Sequence, residues 1–186
     1  MTIITTSRLR LEPINDEHFD GFYALNSDPA VMRYITGKAD TREDTSAMIQ
    51  RVKLRWTEFG FSWWSFLERD SNEIIGAGCI QHLGRDRENP LEIGWRLRRD
   101  KWGLGFASEA AQAMAMFAFA TLGAETLTAV CHPENHNSSR VMTRLGMELR
   151  GQEVWCEMDT LVYEMTRDQW RASQDGDGKI QLNIMR

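Results

Sequence analysis

The sequence predicts an α+β fold, with helices packed against one mixed sheet. Two runs rich in β-forming residues, 61–67 and 74–80, flank the turn residues 69–72 and predict a β-hairpin. A third run, 91–97, alternates polar and apolar residues like a strand and leads into the helical pattern of 107–122. Because the hairpin precedes this crossover helix, the order differs from the regular βαβα alternation of a parallel sheet.

The segments before the hairpin predict one strand and two helices. Residues 7–12 alternate like a strand. Asn15 or Asp16 can cap the first helix, because both side chains accept hydrogen bonds from free backbone N–H groups. Thr41 and Asp44 have the spacing of a capping box, with Asp in place of the usual Glu, and mark the start of the second helix.

The segments after the crossover helix predict a strand at 126–131, a polar loop at 132–137 and a short helix at 138–145. Two further extended segments, 147–155 and 160–165, are expected to pair with each other. The chain therefore reads as a strand, two helices, three strands, a helix, a strand, a helix and two strands.

The length of 186 residues suits one domain with a substantial core. We expect residues 1–171 to form that single domain. Residues 172–186 contain the run Asp-Gly-Asp-Gly and are predicted to form a loosely ordered C-terminal tail.

The composition is that of an ordinary soluble protein, with 42% hydrophobic and 26% charged residues. The net charge of −5 argues against a nucleic-acid partner and suits either a cationic amine substrate or simply a solvated surface. The sequence has no apolar run long enough for a membrane span and no signal-peptide pattern at its start. Its three cysteines are isolated, which argues against disulfides and metal sites, and Cys79 and Cys131 are expected to be buried. We therefore expect a cytoplasmic protein without a membrane partner.

A turn with two glycines, Gly103 and Gly105, joins the third strand to the crossover helix. Glycine allows bare backbone to approach a ligand closely. The helix start behind the turn offers free N–H groups and the positive end of the helix dipole, which together favour a phosphate or pyrophosphate. A dinucleotide-binding fingerprint is the alternative, but Ser108 stands where its third glycine belongs.

Further motifs extend this pattern to a known family. They are Glu92-Ile93-Gly94-Trp95, the run from Trp102 to Ala110, Asn135-x-x-Ser138 and Asp159-x-x-x-Tyr163. In their order and spacing, these motifs resemble the GNAT acetyltransferase superfamily and, within it, the Rim-type branch that includes ribosomal-protein N-terminal acetyltransferases. The resemblance covers about residues 7–170.

The resemblance implies the GNAT fold, with a twisted, mostly antiparallel sheet of about seven strands, a splayed parallel pair and about four helices. It implies acetyl-CoA as co-substrate, without a metal, and its pantetheine arm would lie in the gap between the splayed strands. Dimers are common in the superfamily, so a homodimer is a candidate assembly. The cofactor-binding residues that it implies are Trp95, Arg96, Leu97, Lys101, Trp102, Gly103, Leu104, Gly105, Phe106, Ala107, Ser108, Asn135 and Ser138.

The phosphate turn departs from the family pattern at its leading position, where Gln or Arg is replaced by Asp100. Lys101, Arg98 or Arg99 could supply the missing positive charge, or each could be a solvated surface residue. We expect the backbone N–H groups from Gly103 onward to be the main phosphate ligands, because a backbone cradle tolerates side-chain changes.

Acetyl transfer to an amine needs a proton acceptor for the amine and benefits from a proton donor for the leaving thiolate. The resemblance suggests Ser138 as the donor, although a helix N-cap is an equal reading, and Met142 occupies the position of the tyrosine used by other members. Glu157 and Glu92 are the candidate bases, with Glu157 ranked slightly higher. A crowded or buried carboxylate would have the raised pKa that suits this role.

The sequence thus predicts an acetyl-CoA-dependent N-acetyltransferase that acts on a primary amine, either a protein N-terminus or a small molecule. Without a Cys–His pair at a recognisable spacing, we expect direct transfer in a ternary complex. A binding or interaction module that keeps coenzyme A but has little or no activity is the alternative.

Overall fold

A computed structural model describes residues 2–174 and 183–185. Its strands are β1 (Ile3–Thr5), β2 (Leu9–Pro13), β3 (Trp63–Glu68), β4 (Ile74–His82), β5 (Leu91–Leu97), β6 (Thr126–Cys131), β7 (Glu148–Trp155), β8 (Met158–Thr166) and β9 (Asn183–Met185). The sheet has the order β7-β8-β6-β5-β4-β3-β2-β1-β9. All neighbouring strands are antiparallel except β5 and β6, which are parallel.

The helices are α1 (Phe19–Asn26), α2 (Pro29–Met32), α3 (Arg42–Phe59), α4 (Phe106–Met116), α5 (His136–Leu145) and α6 (Arg167–Gln174). A π-helical segment, Phe117–Thr121, continues α4. The predicted capping box is present at the start of α3, where Thr41 and Asp44 bond each other's backbone N–H groups. Asn15 caps a short 3₁₀ turn that precedes α1.

The predicted α+β fold class with its parallel pair is confirmed, but the element counts were too low. The additional strands β1 and β9 are each three residues long and carry no clear alternation in sequence. Two helices are additional, α2 and α6. Of these, α2 is a single turn, started by the Asp28 cap and by Pro29 at its first position. Such short elements depend on their neighbours for stability, so local sequence patterns signal them poorly.

Helices cover both faces of the sheet. On one face, Trp64 and Phe66 of β3 belong to a core that also contains Ala111 and Met114 of α4. On the other face, a second core joins α1, α3 and β4; its buried members include Phe22, Leu25, Ile49, Val52 and Ala77. The predicted burial of Cys79 and Cys131 is confirmed.

The parallel pair diverges after its first two residues. Leu91 and Glu92 of β5 pair with Leu127 and Thr128 of β6, and the pairing stops there. Beyond this point β5 remains paired with β4, and β6 remains paired with β8. One backbone edge of residues 93–97 therefore faces a gap between the two strands, as expected for a splayed pair.

The predicted C-terminal tail begins at residue 172. Residues 172–174 complete α6, and Asn183–Met185 pair with β1 as β9. Residues 175–182 and 186 lie outside the described residues, so the division into domain and tail stays a prediction. Across residues 2–174 and 183–185, no helix combines the length and apolar character needed to cross a membrane.

Candidate active site

Two adjoining cavities open where β5 and β6 diverge. The smaller has a volume of about 280 Å³ and the larger about 470 Å³. Residues of α5, of β5 and of the segment after α2 line both cavities: Tyr34, Ile35, Trp95, Arg96, Asn135 and Ser138. The shared wall means that a ligand in one cavity would reach the other.

The predicted phosphate turn forms the end of the smaller cavity. Gly103 and Gly105 have φ values of 73° and 84°, in the left-handed region that favours glycine. The first hydrogen bond into α4 joins the Glu109 N–H to the Gly105 carbonyl at 3.1 Å. The N–H groups of Phe106 to Ser108 therefore have no acceptor within the helix, and the Ser108 hydroxyl is buried without a partner among the described residues. Donors of this kind fit a bound phosphate.

Nearly all of the predicted cofactor-binding residues line this smaller cavity. Leu104 is the exception, because its side chain is exposed at the tip of the turn. Its carbonyl instead accepts a hydrogen bond from Arg8 Nη1 at 2.9 Å. The backbone of Leu104 thus helps to fix the turn, while its side chain takes no part in the cavity.

Arg8 and Glu109 anchor the turn, a pairing that no local sequence pattern predicts. The Arg8 Nε donates to the Glu109 carboxylate at 2.6 Å, and its guanidinium lies 4.3 Å above the ring of Phe106. Glu109 also accepts hydrogen bonds from the hydroxyls of Thr6 and Ser7. Burial acts to raise the pKa of Glu109, but these hydrogen bonds outweigh it and lower the pKa overall. The pair joins the β1–β2 connection to α4.

The predicted phosphate cations are engaged with carboxylates. Lys101 Nζ lies 2.7 Å from Glu68. Arg98 pairs with Asp100, and also with Glu73 at 3.1 Å. These partners satisfy the charges that were expected to meet a phosphate.

Arg99, the third predicted cation, pairs with Asp28 at 3.2 Å. Two other cations, Arg140 and Arg144 of α5, line the smaller cavity and form no ion pair with a described residue. The two arginines are four residues apart, which places them on one face of a helix. This spacing is the sequence feature that could have predicted a shared positive surface.

Asn135 and Ser138 shape the junction of the two cavities. The Asn135 side chain caps α5 by accepting the Ser138 N–H at 3.2 Å. Ser138 is therefore not the cap residue, and its hydroxyl forms no hydrogen bond with the described residues while lining both cavities. Met142, one helical turn further, lines the larger cavity as well.

Glu92 lies on the wall of the larger cavity, held by a chain of side-chain hydrogen bonds. The Gln81 amide donates to the Glu92 carboxylate at 2.9 Å. The Gln81 oxygen in turn accepts from Arg55 at 3.2 Å and from the Trp63 indole at 3.3 Å, which fixes the orientation of the amide. Burial raises the pKa of Glu92, with the Gln81 hydrogen bond acting in the opposite direction.

Glu157 lies beside the larger cavity, between Cys156 and Met158, which line it. It occupies the turn between β7 and β8, where Cys156 and Glu157 both have left-handed backbone angles, and its side chain is exposed. It lines neither of the two cavities. Of the two candidate bases, Glu92 is therefore the one that faces the space between the diverging strands.

Comparison with known proteins places this geometry in a family. Residues 8–148 match the acetyltransferase (GNAT) domain, which is well over half of the chain. The chain belongs to the GNAT acetyltransferases.

Individual GNAT relatives agree with this membership. YnaD of Bacillus subtilis, described as an uncharacterized N-acetyltransferase, is 30% identical over 177 residues, which cover 90% of this chain and 98% of YnaD. An FsC-acetyl coenzyme A-N(2)-transacetylase of Aspergillus fumigatus is 27% identical, over 91% of this chain and 78% of its own length. The crystal structure of a GNAT-family acetyltransferase from Bacillus anthracis superposes with a TM-score of 0.77 at 26% identity, covering 89% of this chain and 99% of the other.

The charge of this GNAT domain is unevenly distributed. Among the described lysines and arginines, those without an ion pair are Lys38, Arg51, Arg55, Arg69, Arg85, Arg96, Arg140 and Arg144. All of them except Arg69 line one or both cavities. The cavities therefore collect unneutralised positive charge in a chain whose net charge is −5. Within the described ranges, no cluster of metal-ligating side chains occurs.

Proposed function

We propose that this GNAT protein transfers the acetyl group of acetyl-CoA directly to a primary amine. One observation carries the proposal: the gap between β5 and β6 leads from the glycine turn of the smaller cavity to Glu92 in the larger one. A phosphate site at one end and a partly buried carboxylate at the other suit a long cofactor whose reactive end meets an amine.

The residues of the smaller cavity fit acetyl-CoA. The free N–H groups at the start of α4 and the Ser108 hydroxyl would hold the pyrophosphate. Arg140 and Arg144 would neutralise phosphate charge. The exposed backbone edge of residues 93–97 would pair with the pantetheine arm in the manner of an added strand. When bound, acetyl-CoA supplies an activated acetyl thioester. The name of the Aspergillus relative, which includes acetyl coenzyme A, agrees with this choice.

Glu92 would accept a proton from the incoming ammonium, directly or through water. The burial that raises its pKa makes this carboxylate a better proton acceptor near neutral pH. Ser138, at the junction of the cavities, would donate a proton to the leaving thiolate, because its hydroxyl has no other partner among the described residues. Asn135 would hold Ser138 in place through the cap of α5.

The setting of Cys131 favours direct transfer over an acetylated form of this residue. Cys131 lines the larger cavity, but burial raises the pKa of its thiol, which disfavours the nucleophilic thiolate. Its sulfur lies 3.5 Å from the Ser139 hydroxyl. Within the described chain, no histidine forms a hydrogen bond with this sulfur. An acetyl group trapped on Cys131 would contradict this part of the proposal.

An acceptor screen tests the function. Thiol release from acetyl-CoA is measured with peptide N-termini, polyamines, aminoglycosides and amino acids, and acetyl-CoA binding is measured separately by calorimetry. We expect release with at least one class of amine. Binding of acetyl-CoA without release in the presence of any amine would instead identify a coenzyme A-binding module.

Gly105→Val tests the phosphate seat. A side chain at this left-handed position strains the turn, and its Cβ would lie 3.4 Å from Arg8 Nη2. We expect acetyl-CoA affinity to fall by about tenfold or more, because one hydrogen-bonded contact with a charged group contributes roughly 1.5–3 kcal/mol. Gly60→Val is the matched control, since Gly60 has φ 74° at the end of α3 and lines neither cavity. Equal affinity losses in both variants would overturn the assignment.

A further inference from the structure

Arg96 is a buried arginine without a polar partner. Only 8% of the residue is exposed, and its Nε is buried with no hydrogen-bond acceptor. None of its side-chain nitrogens forms a hydrogen bond or ion pair with a described residue. Burial lowers the pKa of Arg96 to about 10, although the Asp40 carboxylate acts in the opposite direction, so the guanidinium keeps its charge at neutral pH. A buried charge without a partner is costly, and the cost is removed when a ligand supplies the counter-charge.

Aromatic rings hold the Arg96 guanidinium toward the larger cavity. Its central carbon lies 4.6 Å from the ring centroid of Trp63 and 5.9 Å from that of Phe22. Trp63 lines the larger cavity and not the smaller one, and Phe22 belongs to the core between α1 and α3. These contacts hold the planar group beside Trp63 in the wall of the larger cavity, and Arg96 lines the smaller cavity as well.

Arg96 and Glu92 belong to one connected wall. The Trp63 ring that contacts Arg96 donates its indole N–H to Gln81, and Gln81 donates to Glu92. A cation and a carboxylate are thus held along one side of the same cavity by a shared set of contacts. Such a pair complements a ligand that carries both an ammonium and an anionic group.

The remaining charges of the larger cavity favour an anionic ligand as well. Four more cations line it without ion pairs: Lys38, Arg51, Arg55 and Arg85. Its carboxylates are fewer and are partly engaged, since Asp44 closes the α3 capping box and Asp40 accepts from Asn26 at 3.0 Å. A polyamine or another purely cationic acceptor would meet net repulsion in this cavity.

We propose that the acceptor is a small primary amine that also carries a carboxylate, as an amino acid does, and that Arg96 binds this carboxylate. The inference rests on the proposed acetyl transfer and names its substrate class. The planar guanidinium can donate two parallel hydrogen bonds to a carboxylate, which gives orientation as well as affinity. Arg96 would then direct the amino group toward the Glu92 side of the cavity.

The test compares matched acceptors that differ in the anionic group. An α-amino acid, its carboxamide, the corresponding amine without the carboxylate, and phosphoethanolamine are assayed for thiol release from acetyl-CoA. We expect kcat/KM for the amino acid to exceed that for the carboxamide by at least about tenfold, the effect of one charged hydrogen-bonded contact. A preference for phosphoethanolamine over every amino acid would overturn the carboxylate assignment.

Variants of Arg96 test whether this residue causes the preference for an acceptor with a carboxylate. In Arg96→Met, the kcat/KM ratio of amino acid to carboxamide should fall close to one, mainly through a higher KM for the amino acid. Arg96→Lys keeps the positive charge but loses the planar guanidinium that donates two parallel hydrogen bonds. The kcat/KM ratio of amino acid to carboxamide should therefore be intermediate. Arg87→Met is the matched control, because Arg87 is exposed, pairs with Glu58 and lines neither cavity.

The outcomes separate this inference from the proposed function. If amino acid, carboxamide and amine are acetylated equally well, or if the ratio survives in both Arg96 variants, the carboxylate assignment fails while acetyl transfer stands. If none of the four compounds nor any amine of the wider screen releases thiol, both fail. Should Arg96→Met not fold, the ratio measured in Arg96→Lys decides the question.

Discussion

At the scale of single residues, the setting of a carboxylate matters more than its place in a motif. Glu92 and Glu157 are both strand-associated glutamates in the sequence, and nothing local separates them. In the fold, Glu92 is enclosed beside Gln81, whereas Glu157 projects from an exposed turn. Desolvation raises the pKa of the enclosed Glu92 carboxyl.

Glu92→Gln should lower kcat by about 100-fold or more, the usual contribution of a positioned general base. Because the pKa of Glu92 is raised and the ionised form is the proton acceptor, wild-type activity should be lost as the pH falls through a value above the ordinary Glu range. The measurement is kcat against pH for both proteins. The acidic limb should vanish from the residual activity of the variant.

Glu157→Gln is the comparison that decides between the two candidate bases. We expect it to keep the wild-type profile, because its side chain lines neither cavity. A loss of activity in Glu157→Gln with a normal Glu92→Gln enzyme would reverse the assignment and restore the ranking made from the sequence.

At the scale of secondary structure elements, α4 provides both the proposed phosphate-binding N–H groups at its start and the Glu109 carboxylate that holds this start in place. Glu109 lies one turn inside the helix and joins it to the segment between β1 and β2 through Thr6, Ser7 and Arg8. Arg8 then reaches back to the Leu104 carbonyl of the turn. The geometry of the helix start thus depends on a segment about 100 residues away in the chain.

Glu109→Gln should destabilise the fold by roughly 1–3 kcal/mol, because it weakens charged hydrogen bonds in a largely enclosed site. The pKa of Glu109 is lowered in the folded protein, so its stabilising effect is present above the unfolded pKa of about 4.3 and is lost as the pH falls through the folded value. Urea unfolding at neutral and acidic pH measures both effects.

The stability difference between wild type and Glu109→Gln should therefore narrow toward acidic pH. Glu125→Gln is the control, because the Glu125 side chain is 82% exposed and its pairing with Arg167 lies at the surface. Surface changes of this kind usually alter stability by less than about 0.5 kcal/mol. A Glu109→Gln protein as stable as this control would show that the Arg8–Glu109 pair is not important for folding.

At the scale of the whole molecule, unpaired and ion-paired cations lie in different places. The chain is acidic overall, yet seven of the eight described cations without ion pairs line the two cavities. The remaining described cations, apart from Arg69, are matched to carboxylates, many of them on the surface. A locally positive cleft on an acidic protein attracts polyanions and small anions selectively.

The double variant Arg140→Gln/Arg144→Gln should weaken acetyl-CoA binding by about tenfold and reduce its salt dependence, since screened charge attraction is removed. Calorimetric titrations at low and high ionic strength measure both quantities. Arg171→Gln is the control, because Arg171 is 70% exposed on α6 and lines neither cavity. An unchanged salt dependence in the double variant would place the phosphates elsewhere.

Local sequence patterns were enough to predict the α+β class, the glycine turn before α4, the capping box of α3 and the approximate start of α5. Each of these is a local property, since it depends on residues within a few positions of one another. The choice of Asn135 rather than Ser138 as the cap of α5 already required the backbone geometry.

Which charged side chains lack a partner and which groups are buried follows from the three-dimensional fold. Several features of the site arise between elements that are distant in sequence. They are the Arg8–Glu109 pair, the partners of Lys101 and Arg99, the desolvation of Glu92 and the unpaired state of Arg96. Pairing and desolvation depend on the distances between such groups in space, and spacing along the chain does not carry this information.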